Sequence, residues 1–377
     1  MNRRALAVAL VCCALGLLWQ WLTVNYNYAG NWTALFCHGS AVPLPRALAA
    51  EHIYIFPNSG GYDGQSYHLV AHDPFSRTEI GRAVPDPSLR FPRILLPALA
   101  HLLALGRTQW VDPAYHFCEL FFLGLGAWWL ARLLERQGRD PLWAALYVIV
   151  PTSIASIDRM LVDVGVVSLA IGFAFYLEQE ETSFWKLYFV LMAAPLCRET
   201  GLLLLAAYGI RLLLRRRFGR LALLATAALP WALWTWWTRT YIAGGAVFGL
   251  EYLFYPFRGM LDAVEHPRHF AYPAAVVAVI VGLWWVQFAG ILLALWHGVR
   301  RGISEDAINN ACFLLSCFAI LLPPGVYDDP FAGTRVLGPI LLFQFLRKQY
   351  WPLLLVTPRV WLEIAPQAIG IVKGIVS

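Results

Sequence analysis

Apolar runs of helix-spanning length recur in this chain from one end to the other, and this feature limits its possible folds more than any other. A bilayer hydrocarbon core of about 30 Å takes roughly 20 apolar residues to cross as a helix. With 59% hydrophobic residues, only 14% charged and a mean hydropathy of +0.58, the 377-residue chain reads as an all-α, polytopic membrane protein. Trp19, Trp21, Trp236, Trp237, Tyr241, Trp284 and Trp351 stand beside span ends, where amphipathic rings favour the interface.

The first run, Ala5 to Leu22, follows a basic start. It exceeds the roughly 7 to 15 apolar residues of a signal peptide and has no small-x-small cleavage pattern, so it reads as a retained span with the N-terminus in the cytoplasm. The longest polar stretch, 23 to 92, then lies on the far side. Residues 94 to 106 are short for a crossing. If they stay at the interface, segments 113 to 131, 141 to 157, 164 to 178, 184 to 197, 199 to 214, 218 to 237, 274 to 297, 311 to 322 and 336 to 346 alternate across the membrane. The basic loops "ARLLERQGR", "RLLLRRRFGR" and "HGVRRG" then all fall on the cytoplasmic side, as the positive-inside bias requires. The expectation is one transmembrane domain of about ten spans: 1–24 as first span, 25–112 as an extracytoplasmic loop with interfacial helices, 113–350 as the remaining spans, and an apolar segment 351–377 left unassigned.

The formal charge of +6 comes from 26 Arg and 3 Lys against 23 acids, scattered over short loops. Topology accounts for that pattern, and no nucleic-acid partner is inferred from it. Six of seven cysteines fall in or beside apolar segments, and no Cys/His ligand spacing stands out, so no disulfide framework or metal set is expected. Asn31-Trp32-Thr33 matches a glycosylation sequon, to which no function is attached.

This parity brings polar and charged groups together on the outer face, where ionisable side chains at membrane depth are expensive and so point to a site. "GGYDGQSYHLVAHDPF" (60 to 75) places Asp63 between turn-forming glycines, with Tyr62, Gln65 and Tyr67 as neighbouring substrate-binding candidates. A solvated turn is the alternative for Asp63. A short amphipathic helix lying on the membrane is expected from Tyr67, ended by His72-Asp73-Pro74. Arg90 and Arg93 bracket Phe91-Pro92; they suit either interfacial snorkelling or a lipid-linked phosphate. Asp163 follows the loop pair Asp158 and Arg159 and faces the interior. Arg198 and Glu199 interrupt an otherwise apolar stretch, either as a self-neutralising pair or as an anion contact oriented by its neighbour. Asp328, Asp329 and Arg335 occupy the last outer loop, with Arg335 a second candidate phosphate contact.

These motifs together resemble the GT-C superfamily of integral-membrane glycosyltransferases. The resemblance rests on "YDGQSYHLVAHDP" after one span, Arg-Phe-Pro-Arg leading into an apolar helix, the acid Asp163 in the second outer loop, and "CRETG" between later spans. It covers about residues 1 to 240 and is nearest to bacterial proteins of cell-surface glycopolymer formation. It implies transfer of a sugar from a polyprenyl-phosphate donor to a surface glycan or lipid-linked acceptor, outside a bacterial inner membrane, with inversion at the anomeric carbon.

On that reading Asp63 is the general base or holds the acceptor in line, Asp163 orients an arginine or contacts the sugar, and Arg198 with Arg90, Arg93 or Arg335 binds phosphate. A single Asp stands where better-known members carry an acidic pair, so no cofactor is assigned and a divalent metal stays an open alternative. Two other functions fit the composition: a transporter or flippase for lipid-linked sugars, and a non-catalytic membrane subunit of surface-polymer assembly. The absence of charge from 164 to 177 and from 274 to 296, and of any inverted repeat, speaks against the transporter.

Overall fold

The computed structural model describes residues 3–244, 253–266 and 272–376. Among these residues regular structure is almost entirely helical, and one small sheet pairs His38–Gly39 with Ile55–Phe56 in parallel. Three helices among the described residues are long and apolar enough to cross a membrane: Arg3–Asn27, Thr108–Arg136 and Ala274–Val299. The consecutive stretches Pro141–Ile149 and Pro151–Arg159 form a fourth candidate if they are taken as one span bent by 49°.

Helices in other expected spans fall short of the roughly 20 residues that a straight crossing needs. Asp163–Leu177, Gly201–Leu214 and Ala307–Ala319 hold 15, 14 and 13 residues, or roughly 20 to 23 Å at 1.5 Å per residue. The 218 to 237 run breaks into Phe218–Ala225, a 3-10 turn and Leu229–Tyr241, where Pro230 opens the second helix. The 336 to 346 run reduces to the nine-residue helix Gly338–Leu346. Leu95–Leu103, also nine residues and about 14 Å, is too short to cross. The 351 to 377 segment left unassigned by sequence forms one helix, Trp351–Val376, packed along Ala274–Val299 and the first helix.

The core is built around Thr108–Arg136, which contacts the first helix, Leu95–Leu103 and Asp163–Leu177. All seven cysteines are free. Asp158, at the end of Pro151–Arg159, is buried and accepts from Trp19 Nε1 (3.0 Å) on the first helix and Gln367 Nε2 (3.2 Å) on the last. One carboxylate thus joins the two ends of the chain.

The helix expected to lie on the membrane is different in position and length. It starts at Asp63, four residues before Tyr67, and runs to His72, with Gly64 through Ala71 all buried. It is therefore an internal helix, enclosed by the loop that precedes it and by the Thr108–Arg136 helix. Gly64 explains the fit: a Cβ there would overlap the carbonyl oxygen of Arg159. Without a side chain the first turn seats against that backbone, which places Asp63 beside the later helices.

Candidate functional site

Asp63 is the first residue of its helix, and its carboxylate takes one arginine on each oxygen. Arg90 Nη2 lies 2.8 Å from Oδ1 and Arg335 Nη2 lies 3.0 Å from Oδ2. Arg335 also approaches Asp163, with Nη1 3.6 Å from Oδ2, while Arg198 donates to Oδ1 of the same acid. Arg93 grips Glu199 with two parallel bonds of 2.9 and 2.7 Å and gives a third, of 3.0 Å, to the Tyr67 hydroxyl. Arg198 Nε is 3.8 Å from Glu199, closing the chain of contacts. Four guanidiniums and three carboxylates, drawn from five places in the sequence, form one connected network.

Local chain chemistry puts them there. Arg198 and Glu199 sit in the break between Glu180–Cys197 and Gly201–Leu214, where Gly201 lets the second helix fold back: a Cβ would overlap the backbone at Ala194 and Pro195. Arg90 and Arg93 flank the turn that leads into Leu95–Leu103, and Arg335 lies on Ala332–Val336.

The network is largely sealed from water. Side-chain exposure is 0% for Asp163, 4% for Arg93, 6% for Arg335 and 8% for Arg198, rising to 33% for Glu199. Burial alone would push the Asp63 carboxyl up, but Arg90 and Arg335 more than reverse this and hold it well below the usual carboxylate range. Burial likewise opposes the ionised form of Glu199, and Arg93 and Arg198 bring it down to about 2.

Beside the network is a cavity of about 400 Å³. Its lining combines the charged residues Asp63, Arg90, Arg93, Arg198, Glu199, Arg239 and Arg335 with apolar ones that include Leu202, Leu203, Trp231, Phe318 and Leu322. The cavity is therefore amphiphilic, with arginines outnumbering carboxylates. Arg90 Nε, Arg198 Nε, and Arg335 Nε and Nη1 are buried without a hydrogen-bond partner. Buried unsatisfied donors are rare in native proteins and call for an explanation. An anion with several acceptor oxygens, such as a phosphate, would supply one.

Several sequence expectations change in detail. Asp163 is not among the residues lining the cavity; fully buried, it contacts both Arg198 and Arg335. Gln65 is committed to backbone, accepting from Gly39 N–H (3.1 Å) and donating to the Gly60 carbonyl (2.8 Å), so both of its polar atoms are used in shaping the loop. Tyr62 stands behind the site: its hydroxyl donates to Asp329 (3.2 Å) and its ring lies 5.1 Å under the Arg335 guanidinium. Tyr67 is fully buried, is not among the residues lining the cavity, and accepts from Arg93. Arg198 and Glu199 do not simply neutralise each other, since their closest partners are Asp163 and Arg93. Asp329 caps the outer turn through the N–H groups of Phe331 and Ala332 (both 2.8 Å).

At the other end of the Asp63–His72 helix lies a second cluster that the sequence reading passed over. His68, His72, Asp112 and Glu51 aim one ligand atom each into a common space, all within 4.8 Å of one another. Its signal was present as the i, i+4 pair His68/His72 on one helix face, but its carboxylates come from distant segments.

No protein-family model matches the chain, and comparison with curated proteins and with solved structures yields no match.

Proposed function

We propose that this protein is a membrane glycosyltransferase that takes a sugar from a polyprenyl-phosphate donor and passes it to a glycan or lipid-linked acceptor at the extracytoplasmic face of a bacterial inner membrane. The observation that carries the proposal is a single cavity lined both by arginines with unsatisfied N–H groups and by large apolar side chains. An amphiphile with an anionic head and a hydrocarbon tail has that polarity. The fuller count of about ten membrane crossings belongs to the same proposal, with the shorter apolar helices joining the three long ones.

In the structure Asp63 is a weak base, because two guanidiniums stabilise its ionised form. Donor phosphate would compete for Arg90 and Arg335, and as they turn to it Asp63 loses the charges that hold its affinity for a proton low. The acceptor hydroxyl then attacks the anomeric carbon, its proton passes to Asp63, and the carbon–oxygen bond to phosphate breaks with its electron pair on the leaving polyprenyl phosphate. Arg198 and Arg335, held by Asp163, stabilise the charge that develops there. Backside attack gives inversion.

The test is release of polyprenyl phosphate by the purified protein in lipid nanodiscs, given a panel of polyprenyl-phosphate sugars and crude surface-glycan acceptor. Release by the wild type and its loss, by about 100-fold or more, in Asp63→Asn is the expected result. Binding of the donor lipid without release, in the presence of every acceptor, would transfer the cavity to a transport or scaffolding role.

A further inference from the structure

The second cluster lies outside the arginine network and serves no step of the proposed transfer. His68 Nε2 is 2.7 Å from Asp112 Oδ1 and 3.1 Å from His72 Nε2. His72 Nε2 is 3.5 Å from both Asp112 Oδ1 and Glu51 Oε2. Each residue thus turns the same atom to all its neighbours. Four donors bonded tetrahedrally at the ~2.0 to 2.2 Å of zinc–nitrogen and zinc–oxygen bonds are about 3.3 to 3.5 Å apart along each edge. The two His72 contacts with the carboxylates meet that value, the His68–His72 spacing is slightly short of it, and His68 with Asp112 stands at hydrogen-bond distance, from which a bound ion would draw the two apart.

Hydrogen bonding among the side chains accounts poorly for the arrangement. His68 Nδ1 is already engaged with His38 Nε2 at 2.8 Å, so at most one ring proton stands on His68 Nε2, facing both a carboxylate and a second imidazole nitrogen. Neither oxygen of Glu51 has a hydrogen-bond partner, and His72 Nδ1, on a side chain only 1% exposed, has none either. A cation at the centre would engage all four converging atoms at once.

We propose that His68, His72, Asp112 and Glu51 form a binding site for one divalent transition-metal ion of the zinc type. Two imidazole nitrogens and two carboxylate oxygens suit zinc and its first-row neighbours, whereas calcium and magnesium favour all-oxygen sets. His38 completes the site from outside: its bond to His68 Nδ1 fixes which ring nitrogen faces the metal, and the Phe36 ring, stacked 4.1 Å from that of His68, holds the plane.

The ligands come from three segments: Glu51 from the 3-10 turn Arg46–Glu51, both histidines from the Asp63–His72 helix, and Asp112 from the second turn of Thr108–Arg136. The ion would clamp the first polar segment to a long apolar helix. His68 and His72 lie five and nine residues along the helix from Asp63, roughly 8 and 14 Å at 1.5 Å per residue, so the ion positions that helix and does not touch the transferred group.

Metal content of untagged, full-length protein decides the matter. Protein stripped with EDTA, incubated with micromolar Zn2+ and passed over a desalting column is expected to retain about one zinc per chain by elemental analysis, and to melt at a higher temperature than the stripped protein. His72→Gln and Asp112→Asn, each checked as a single species by size exclusion, are expected to lose both effects. His38→Ala is expected to weaken zinc affinity by about 10 to 100-fold with the four ligands in place. Failure of the wild type to retain Zn2+, Co2+ or Mn2+ would overturn the proposal, as would equal zinc retention by His72→Gln. Because the readouts are metal content and melting, the result stands apart from whether the protein transfers sugars.

Discussion

The helical hairpin of Glu180–Cys197 and Gly201–Leu214 carries arginines and glutamates at both ends, and the two ends treat them in opposite ways. At the open end, Arg211, Arg215, Arg217 and Arg220, 16 to 36% exposed, gather around the buried Glu180, 5% exposed, and around Glu181 and Glu305, which are 59% and 64% exposed. At the closed end Arg198 is 8% exposed, and Arg93 and Arg335 less still. The same residue types thus form a wetted cluster at one end and a sealed network at the other, about 27 Å away along an 18-residue helix. Wetted pairs add little and are easily exchanged. Sealed charges cost desolvation energy that pairing seldom returns in full, so their retention points to work other than stability.

The sharpest way to break this contrast is to remove a sealed carboxylate. Asp163→Ala leaves Arg198 without its nearest partner and takes one acid from Arg335, and a loss of about 3 to 5 kcal/mol in stability is expected, seen as a lower melting temperature or poor recovery of folded protein. A shift no larger than that of a surface substitution would erase the distinction between the two ends. Arg198→Lys is a subtler probe. An ammonium cannot reproduce the planar fork, so donor use in the release assay is expected to fall about tenfold or more while the protein stays folded.

Acid sensitivity gives a readout of the sealed network. Glu199 is held at about 2 in the folded protein, against an ordinary value of 4.5, so its contribution to stability is present above about pH 4.5 and is lost as pH falls toward 2. Melting temperature followed against pH is expected to fall along that limb, and Glu199→Gln to flatten it; an unchanged limb would mean that other acids set it. The smallest effect is expected from Arg217→Ala at the exposed end, with neither transfer nor melting measurably altered. A clear loss of transfer there would give the wetted cluster a role of its own.

Sequence reasoning reached the members of the sealed network more readily than their pairing. Arg90, Arg93, Arg198, Glu199 and Arg335 stood out because each is ionisable in or beside an apolar stretch, and Asp63 because glycines flank it in a polar segment facing the same side. Their partners did not, because Arg93 and Glu199 are 106 positions apart and nothing local joins them. Adjacency suggested that Arg198 pairs with Glu199, but the backbone at the break sends the arginine to Asp163. Gln65 read as a ligand of substrate because its side chain is polar and close to Asp63; the tight loop through Gly60 and Gly61 uses both of its polar atoms. The all-α class was legible from apolar runs. Helix lengths were less so, since Pro151 and Pro230 break runs whose hydropathy is continuous. The metal ligands were hardest, with one histidine pair local and two carboxylates supplied from elsewhere.

The Asp63–His72 helix is gripped at both extremities, by arginines at its first turn and by the imidazole and carboxylate cluster at its last, and Gly64 leaves it no slack against Arg159. It behaves like a shaft keyed at each end. One residue inserted between Asp63 and His68 would rotate one key by about 100° relative to the other. Only one end could then stay seated, so the two clusters share a single register although none of their side chains need touch.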